Sequence, residues 1–392
     1  MSLRLWLALG SIALGVAVCV NGANGAGAGG ANAPSRIVVK AARIVVAPGK
    51  VIPRGVIVIE DGKIAAVGTD LGVPQGARVL DYGDATISAG LVDARSETGA
   101  EGETVDNANA FTPAVRVVDA FRPGQRTLER AAAAGITTVG LAPEGRNVMS
   151  GIGAVVKTGS PGRVVKDETY LLCSFDSMAL APDRFPTSFG AALAEFGKRI
   201  REAAADPAKA KSLDGKALAR VGKDLRPWIE IPDAAAFHQI WKLCQELKIA
   251  PVVIATGDLS EVARELAQAK IPVVMRSLTF DSTPIERRFP ADLAKAGVEI
   301  AFASGGTGGN ASAIDLRVGA ALAAASGLDR NVAFAAITTN PAKWLGIEAQ
   351  AGAVEAGRDA DLVVWSGDPM NLASSVRAVF VDGALVEGRT KR

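Results

Sequence analysis

One local event recurs through the middle of the chain and restricts its fold more than any other feature. A run of helix formers stops, and within a residue or two a β-branched run begins. Residues 128–134 favour a helix, Gly135 ends it, and Ile136-Thr137-Thr138-Val139-Gly140-Leu141 follows as a strand. The same order returns at 259–270 before Ile271-Pro272-Val273-Val274-Met275, and at 290–297 before Val298-Glu299-Ile300-Ala301-Phe302. Such alternation predicts a parallel sheet with helical crossovers. Further strand runs at 87–93, 154–157, 169–175, 228–231 and 252–255 bring the number to eight, enough to close an α/β fold of the (β/α)8 TIM barrel type. The charged stretch 189–223 reads as two helices outside that barrel. The helix predicted over 234–247 buries Phe237, Ile240, Trp241, Cys244 and Leu247, with His238 at the edge of the stripe.

Both ends of the chain are β-rich instead. Val56-Ile57-Val58-Ile59 and Lys63-Ile64-Ala65-Ala66-Val67 flank Glu60-Asp61-Gly62, a hairpin signal, and β-branched runs return at 361–365 and 376–386. The expected organisation is a composite β-sandwich domain from 36–87 plus 350–390, around a barrel at 88–349. Before it, Arg4 and the apolar run 5–20 lead to Ala26-Gly27-Ala28, the order of a secretory signal peptide over 1–28. Export to a periplasm or the cell exterior is the expected localisation, with no stable membrane insertion. Cys173 and Cys244 then remain, read as two buried thiols rather than a bridge.

Charge and histidine content limit the chemistry. With 43 Lys and Arg against 41 Asp and Glu, no long-range field draws the chain to nucleic acid. The sequence holds 1 histidine, so neither a His-rich metal centre nor a Ser-His-Asp triad is credible when that residue lies on an outer helix.

Several stretches carry a resemblance. Ser88-Ala89-Gly90-Leu91-Val92-Asp93-Ala94-Arg95-Ser96-Glu97 resembles the first barrel strand of the amidohydrolase superfamily. Gly357-Arg358-Asp359-Ala360-Asp361-Leu362-Val363-Val364-Trp365 resembles its C-terminal signature. Asn147-Val148-Met149-Ser150-Gly151-Ile152-Gly153-Ala154-Val155-Val156-Lys157-Thr158 and Arg184-Phe185-Pro186-Thr187 are similar to the imidazolonepropionase-like branch. The resemblance implies the barrel, the composite β-domain and a metal-dependent hydrolase of C–N bonds. It also implies His-x-His at the end of the first strand and an aspartate after the last. Here Arg95-Ser96-Glu97 and Ser304-Gly305 stand in those places, and a guanidinium has no lone pair for a metal.

The expectation is therefore a pseudoenzyme with no catalytic residues and no cofactor, binding a small anionic ligand or acting as a non-catalytic subunit, as a homo-oligomer or beside an active paralogue. Its degenerate site comprises Arg95, Glu97, Glu230, Asp258, Arg276, Asp281, Ser304 and Gly305. Arg95 either forms an internal ion pair with Glu97 or joins Arg276 in holding a carboxylate or phosphate. The glycine run 305–309 offers a weaker anion cradle, and Lys157 reads as a structural lysine. The alternative is an active hydrolase, imidazolonepropionase-like or dipeptidase-like, on a divalent metal such as Zn or Mg. It requires at least three of Glu97, Glu101, Glu103, Glu230, Asp258 and Asp281 to converge.

Overall fold

The computed structural model describes residues 36–206, 210–304 and 315–388. The expected leader and Gly305 lie outside the described residues. Five strands open the fold: β1 (Arg36–Ala47), β2 (Lys50–Glu60), β3 (Lys63–Gly68), β4 (Arg78–Asp81) and β5 (Thr86–Ala89). Asp61 and Gly62 both take positive φ, 49° and 80°, which closes the β2–β3 hairpin expected at that spot. Eight strands follow: β6 (Leu91–Ser96), β7 (Ile136–Leu141), β8 (Met149–Lys157), β9 (Arg163–Ser174), β10 (Arg226–Ile231), β11 (Val252–Ala255), β12 (Val273–Arg276) and β13 (Ile300–Ala303). Three more close the chain: β14 (Leu362–Trp365), β15 (Val376–Val381) and β16 (Ala384–Gly388).

The strands β6 to β13 hydrogen-bond in sequence order into a nearly closed, parallel-rich barrel. Its two ends meet where the Ser304 amide, just past β13, donates to Asp93 of β6 at 3.0 Å. Val92, Tyr170, Leu172, Trp228, Val274 and Ala301 belong to one buried cluster that fills the barrel. A second cluster packs the outer strand faces against the helices, among them α1 (Arg126–Ala133), α2 (Phe189–Ala205), α3 (Leu213–Leu218) and α4 (Ala234–Leu247).

Two features depart from the pattern expected of the sequence. Strand β8 runs antiparallel to both β7 and β9. Residues 158–162 are too few for the dozen or so that a parallel crossover needs, so the chain turns back as a hairpin. The helix expected at 290–297 also begins earlier, at Pro284, and runs to Ala296 as α6, after α5 (Ala263–Gln268). Its start is set by Thr283, whose hydroxyl accepts from the Glu286 amide while the Glu286 carboxylate accepts from the Thr283 amide.

Strands from both chain ends share one eight-stranded sheet, ordered β16-β15-β14-β5-β1-β2-β3 with β4 beside β1. The apolar run 87–93 is split between this sheet and the barrel at Gly90, where a Cβ would lie 2.0 Å from Thr137 Oγ1 and 2.7 Å from Thr137 Cβ. A buried ion cluster fastens sheet to barrel. Lys157, at the end of β8, donates to Asp359 at 2.6 Å, to Asp361 at 3.2 Å and to Asp382. Lys63 and Arg163 pair with Asp359 at 2.7 Å and Asp382 at 2.6 Å. Burial disfavours the charged amine, yet the carboxylates around it hold the Lys157 pKa above the usual lysine value.

Because Thr137 is β-branched and buried, it cannot move aside for a new methyl group. Gly90→Ala is expected to lower the stability of the folded chain by about 1–3 kcal/mol. The denaturant midpoint of the variant against the parent checks this.

Candidate functional site

The parallel barrel strands, β8 excepted, place their C-terminal ends around one mouth, the position at which barrel enzymes build their sites. Glu230, on β10, has the same strand parity as the interior Trp228 and is fully buried. Its carboxylate packs against the loop after β7 so closely that a Cβ on Gly145 would lie 2.3 Å from Glu230 Oε2. Arg95, near the end of β6 and 3% exposed, brings Nη2 to 2.9 Å from Glu230 Oε1. The approach is close but poorly angled. Arg95 Nε and Nη2 and both Glu230 oxygens lack a well-formed hydrogen bond, so the contact is an ion pair and not a two-pronged fork. Burial raises the Glu230 pKa, and the Arg95 guanidinium opposes that shift.

Asp93 lies beside this pair. It accepts from the Ser304 amide at 3.0 Å, from the Arg95 amide at 3.3 Å and from the Ser304 hydroxyl. Burial nevertheless pushes its pKa up from 3.8 to about 6, with the Ser304 and Arg95 contacts opposing the shift. Sequence reasoning passed over Asp93 as part of a motif. The available signal was a carboxylate in the middle of Leu91-Val92-Asp93-Ala94, a run otherwise apolar.

The residues singled out in the sequence fall into separate groups. Arg95, Glu230 and Ser304 meet at the mouth. The expected pairing of Arg95 with Glu97 is replaced by the pairing with Glu230. Strand geometry puts residues 95 and 97 two positions apart along one face, whereas barrel closure carries Glu230 directly opposite the guanidinium. Glu97 is half-buried just past β6, its pKa raised by burial and lowered less by Arg95. Asp258, Arg276 and Asp281 instead line a cavity of about 370 Å³ at the ends of β11 and β12. Of the other carboxylates, Glu101 pairs with Arg122 at 3.1 Å and Glu103 is exposed.

Other nucleophiles and bases lie away from the mouth or are muted. His238, exposed on α4, sits 3.1 Å from Glu265. Cys173 and Cys244 are buried free thiols, and burial raises both pKa values, that of Cys244 to about 12. Among the described residues no group of three or more His, Cys, Asp or Glu side chains is placed to hold a metal ion. The buried donors at the mouth do not fit a divalent cation, since one carboxylate already faces a guanidinium and the other is held by a serine.

Two outcomes follow from this arrangement. Arg95→Met leaves the buried Glu230 without its counter-charge and is expected to cost about 3–5 kcal/mol at neutral pH, while adding Glu230→Leu to that variant restores much of the loss. Urea unfolding of the single and double variants measures both. A carboxyl whose folded pKa exceeds its unfolded value stabilises the fold below the unfolded pKa, and that stability fades as pH rises through the folded value. Asp93 is thus expected to withdraw about 2–3 kcal/mol between pH 3.8 and about 6. Asp93→Asn should flatten that part of the stability profile, as read by unfolding at intervals of pH.

Comparison with known proteins gives this geometry its context. The amidohydrolase family profile matches residues 234–386. A fungal protein, amidohydrolase tasK of Hapsidospora irregularis, is 42% identical over 57 residues, a match that spans 14% of this chain and only 6% of tasK. An amidohydrolase from Thermotoga maritima superposes over 90% of this chain and 100% of its own, with a TM-score of 0.82 and 26% identity. N-isopropylammelide isopropylaminohydrolase of Burkholderia multivorans shares the fold at a TM-score of 0.54 and 17% identity, covering 89% and 98% of the two chains. The family match in the C-terminal part and the fold likeness across the whole barrel and sheet are both to members of the amidohydrolase superfamily.

Proposed function

We propose that this chain is a member of the superfamily that no longer performs metal-assisted hydrolysis, with the barrel retained for binding a small molecule or for pairing with another chain. The observation that carries the reading is the buried ion pair of Arg95 with Glu230 at 2.9 Å. A guanidinium has five donors and no lone pair, so it repels a dication and cannot ligate one. Glu230 is fully buried at that end of the barrel, and its charge is already matched. Hydrolysis through a metal-bound water also needs an acceptor for the proton of that water. Asp93, the nearest candidate, is occupied by the Ser304 hydroxyl and amide.

The stretch 147–158 and the Arg184-Phe185-Pro186-Thr187 run favour the imidazolonepropionase-like branch as the ancestry. In this reading residues 1–28 are an export leader. The protein then acts in a periplasm or outside the cell, as a homo-oligomer or beside an active paralogue.

Elemental analysis of protein purified without chelators, and again after incubation with Zn²⁺, Mn²⁺ and Mg²⁺, tests the proposal. Less than about 0.1 equivalent of metal throughout is expected, with no release of amine from N-acyl amino acids or dipeptides. A stoichiometric metal that survives gel filtration and disappears in Glu230→Gln would establish the carboxylate-based hydrolase instead.

A further inference from the structure

The cavity at the ends of β11 and β12 lies to one side of the Arg95 and Glu230 pair and has its own chemistry. Its floor and one wall are apolar, formed by Met275, Leu278 and Phe289, which are 3%, 6% and 9% exposed. Arg276, the last residue of β12, and Asp281, in the loop that leads to α6, line the same space from exposed positions. Neither forms a hydrogen bond or an ion pair with another described residue, so the two opposite charges face one cavity without neutralising each other. Asp258 is committed, since its carboxylate accepts from the Ser260 amide at 2.8 Å. The cavity is also lined by Ser277, whose hydroxyl oxygen is buried and has no hydrogen-bond partner among the described residues. A buried hydroxyl left unpaired costs free energy that a bound polar group would recover.

The backbone around this space is specified closely. Past β11, Gly257 runs so near the preceding strand end that a Cβ there would lie 2.0 Å from the Pro232 carbonyl oxygen. That approach holds Thr256 and Asp258 on the rim. Across the cavity, the Thr283 and Glu286 capping box fixes the first turn of α6 and with it Phe289.

We propose that this cavity binds a free α-amino acid with an apolar side chain, its carboxylate on Arg276, its ammonium group toward Asp281 and its side chain against Met275, Leu278 and Phe289. The charges select against simpler ligands. A phosphate or dicarboxylate drawn to Arg276 meets the Asp281 and Asp258 carboxylates, and an amine drawn to Asp281 meets the guanidinium. A zwitterion satisfies both at once, and the apolar wall is left for a hydrocarbon side chain. A volume of about 370 Å³ lies within the range of small-molecule pockets and admits such a ligand with several waters. The inference rests on the non-hydrolytic reading only in taking the ligand to leave unchanged.

Titration calorimetry of the whole chain with L-leucine tests it, using isopentylamine and 4-methylpentanoate as probes that each lack one charge. L-leucine is expected to bind saturably, and L-alanine to bind at least tenfold more weakly, since each buried methylene is worth roughly fourfold. Arg276→Gln and Asp281→Asn should each weaken L-leucine about tenfold or more. Arg276→Gln should leave isopentylamine no weaker than in the parent, and Asp281→Asn should do the same for 4-methylpentanoate. Both residues are exposed, so folding is expected to survive, and a thermal melt confirms it. Absence of saturable heat up to about 10 mM leucine overturns the proposal, as does an affinity that neither substitution changes by more than twofold. The titration is run on chelator-stripped protein, so failure to bind overturns this inference alone. A stoichiometric metal in the separate elemental analysis overturns the non-hydrolytic reading alone.

Discussion

Burial of charge is the constraint on which the architecture depends. Lys157 stands at the seam between barrel and sheet, 1% exposed, with Asp359, Asp361 and Asp382 around its amine. An unpaired ammonium in that place would cost several kcal/mol, so the barrel end and the C-terminal strands form together or not at all. Burial lifts the Asp361 pKa to about 6, while lysine and arginine partners hold those of Asp359 and Asp382 below the ordinary value. The three carboxylates thus answer to pH in opposite senses. At the other end of the barrel the same rule governs Arg95 and Glu230, each admissible in the interior because of its partner.

This places the chemistry of the mouth in physical terms. A metal centre and a buried ion pair are alternative ways of neutralising carboxylates at the end of a barrel. The superfamily fold is compatible with either, because the strands that carry the residues are fixed by interior packing and not by the ligand set. Tyr170 stacks on Trp228 with ring centroids 4.3 Å apart, part of the apolar core that supports the mouth.

Much of the fold was legible in the sequence because it depends on local patterns. Gly135, at φ 90°, ends α1 where the sequence placed the stop, and the α4 limits match the expected 234–247. All eight barrel strands fall on runs identified from β-branched content. Orientation was less legible. Nothing in the composition of β8 says that it runs antiparallel, since only the short connections at 142–148 and 158–162 encode it. The limits of α6 were misread because Pro290 looks like a helix start, whereas the decisive signal was Thr283-Pro284-Ile285-Glu286. At the site, the identity of the Arg95 partner was beyond sequence reach, because Glu230 lies 135 positions away and meets Arg95 through barrel closure. The grouping of Arg276 with Asp281 was nearer to hand, as both flank the end of one strand.

The central sheet pairing has a consequence for how the chain must be made. Strand β5 hydrogen-bonds to β1 on one side and to β14 on the other, with Thr86 opposite Trp365. During synthesis every barrel strand emerges while that edge of β5 is still bare, a template for pairing with any other extended chain. Strand β14, made after the whole barrel, therefore covers an edge that β5 has presented since before the barrel began. A chain that stops before residue 362 would keep nearly the whole barrel and yet present an open, β-branched strand edge, and it should be lost to aggregation sooner than to unfolding.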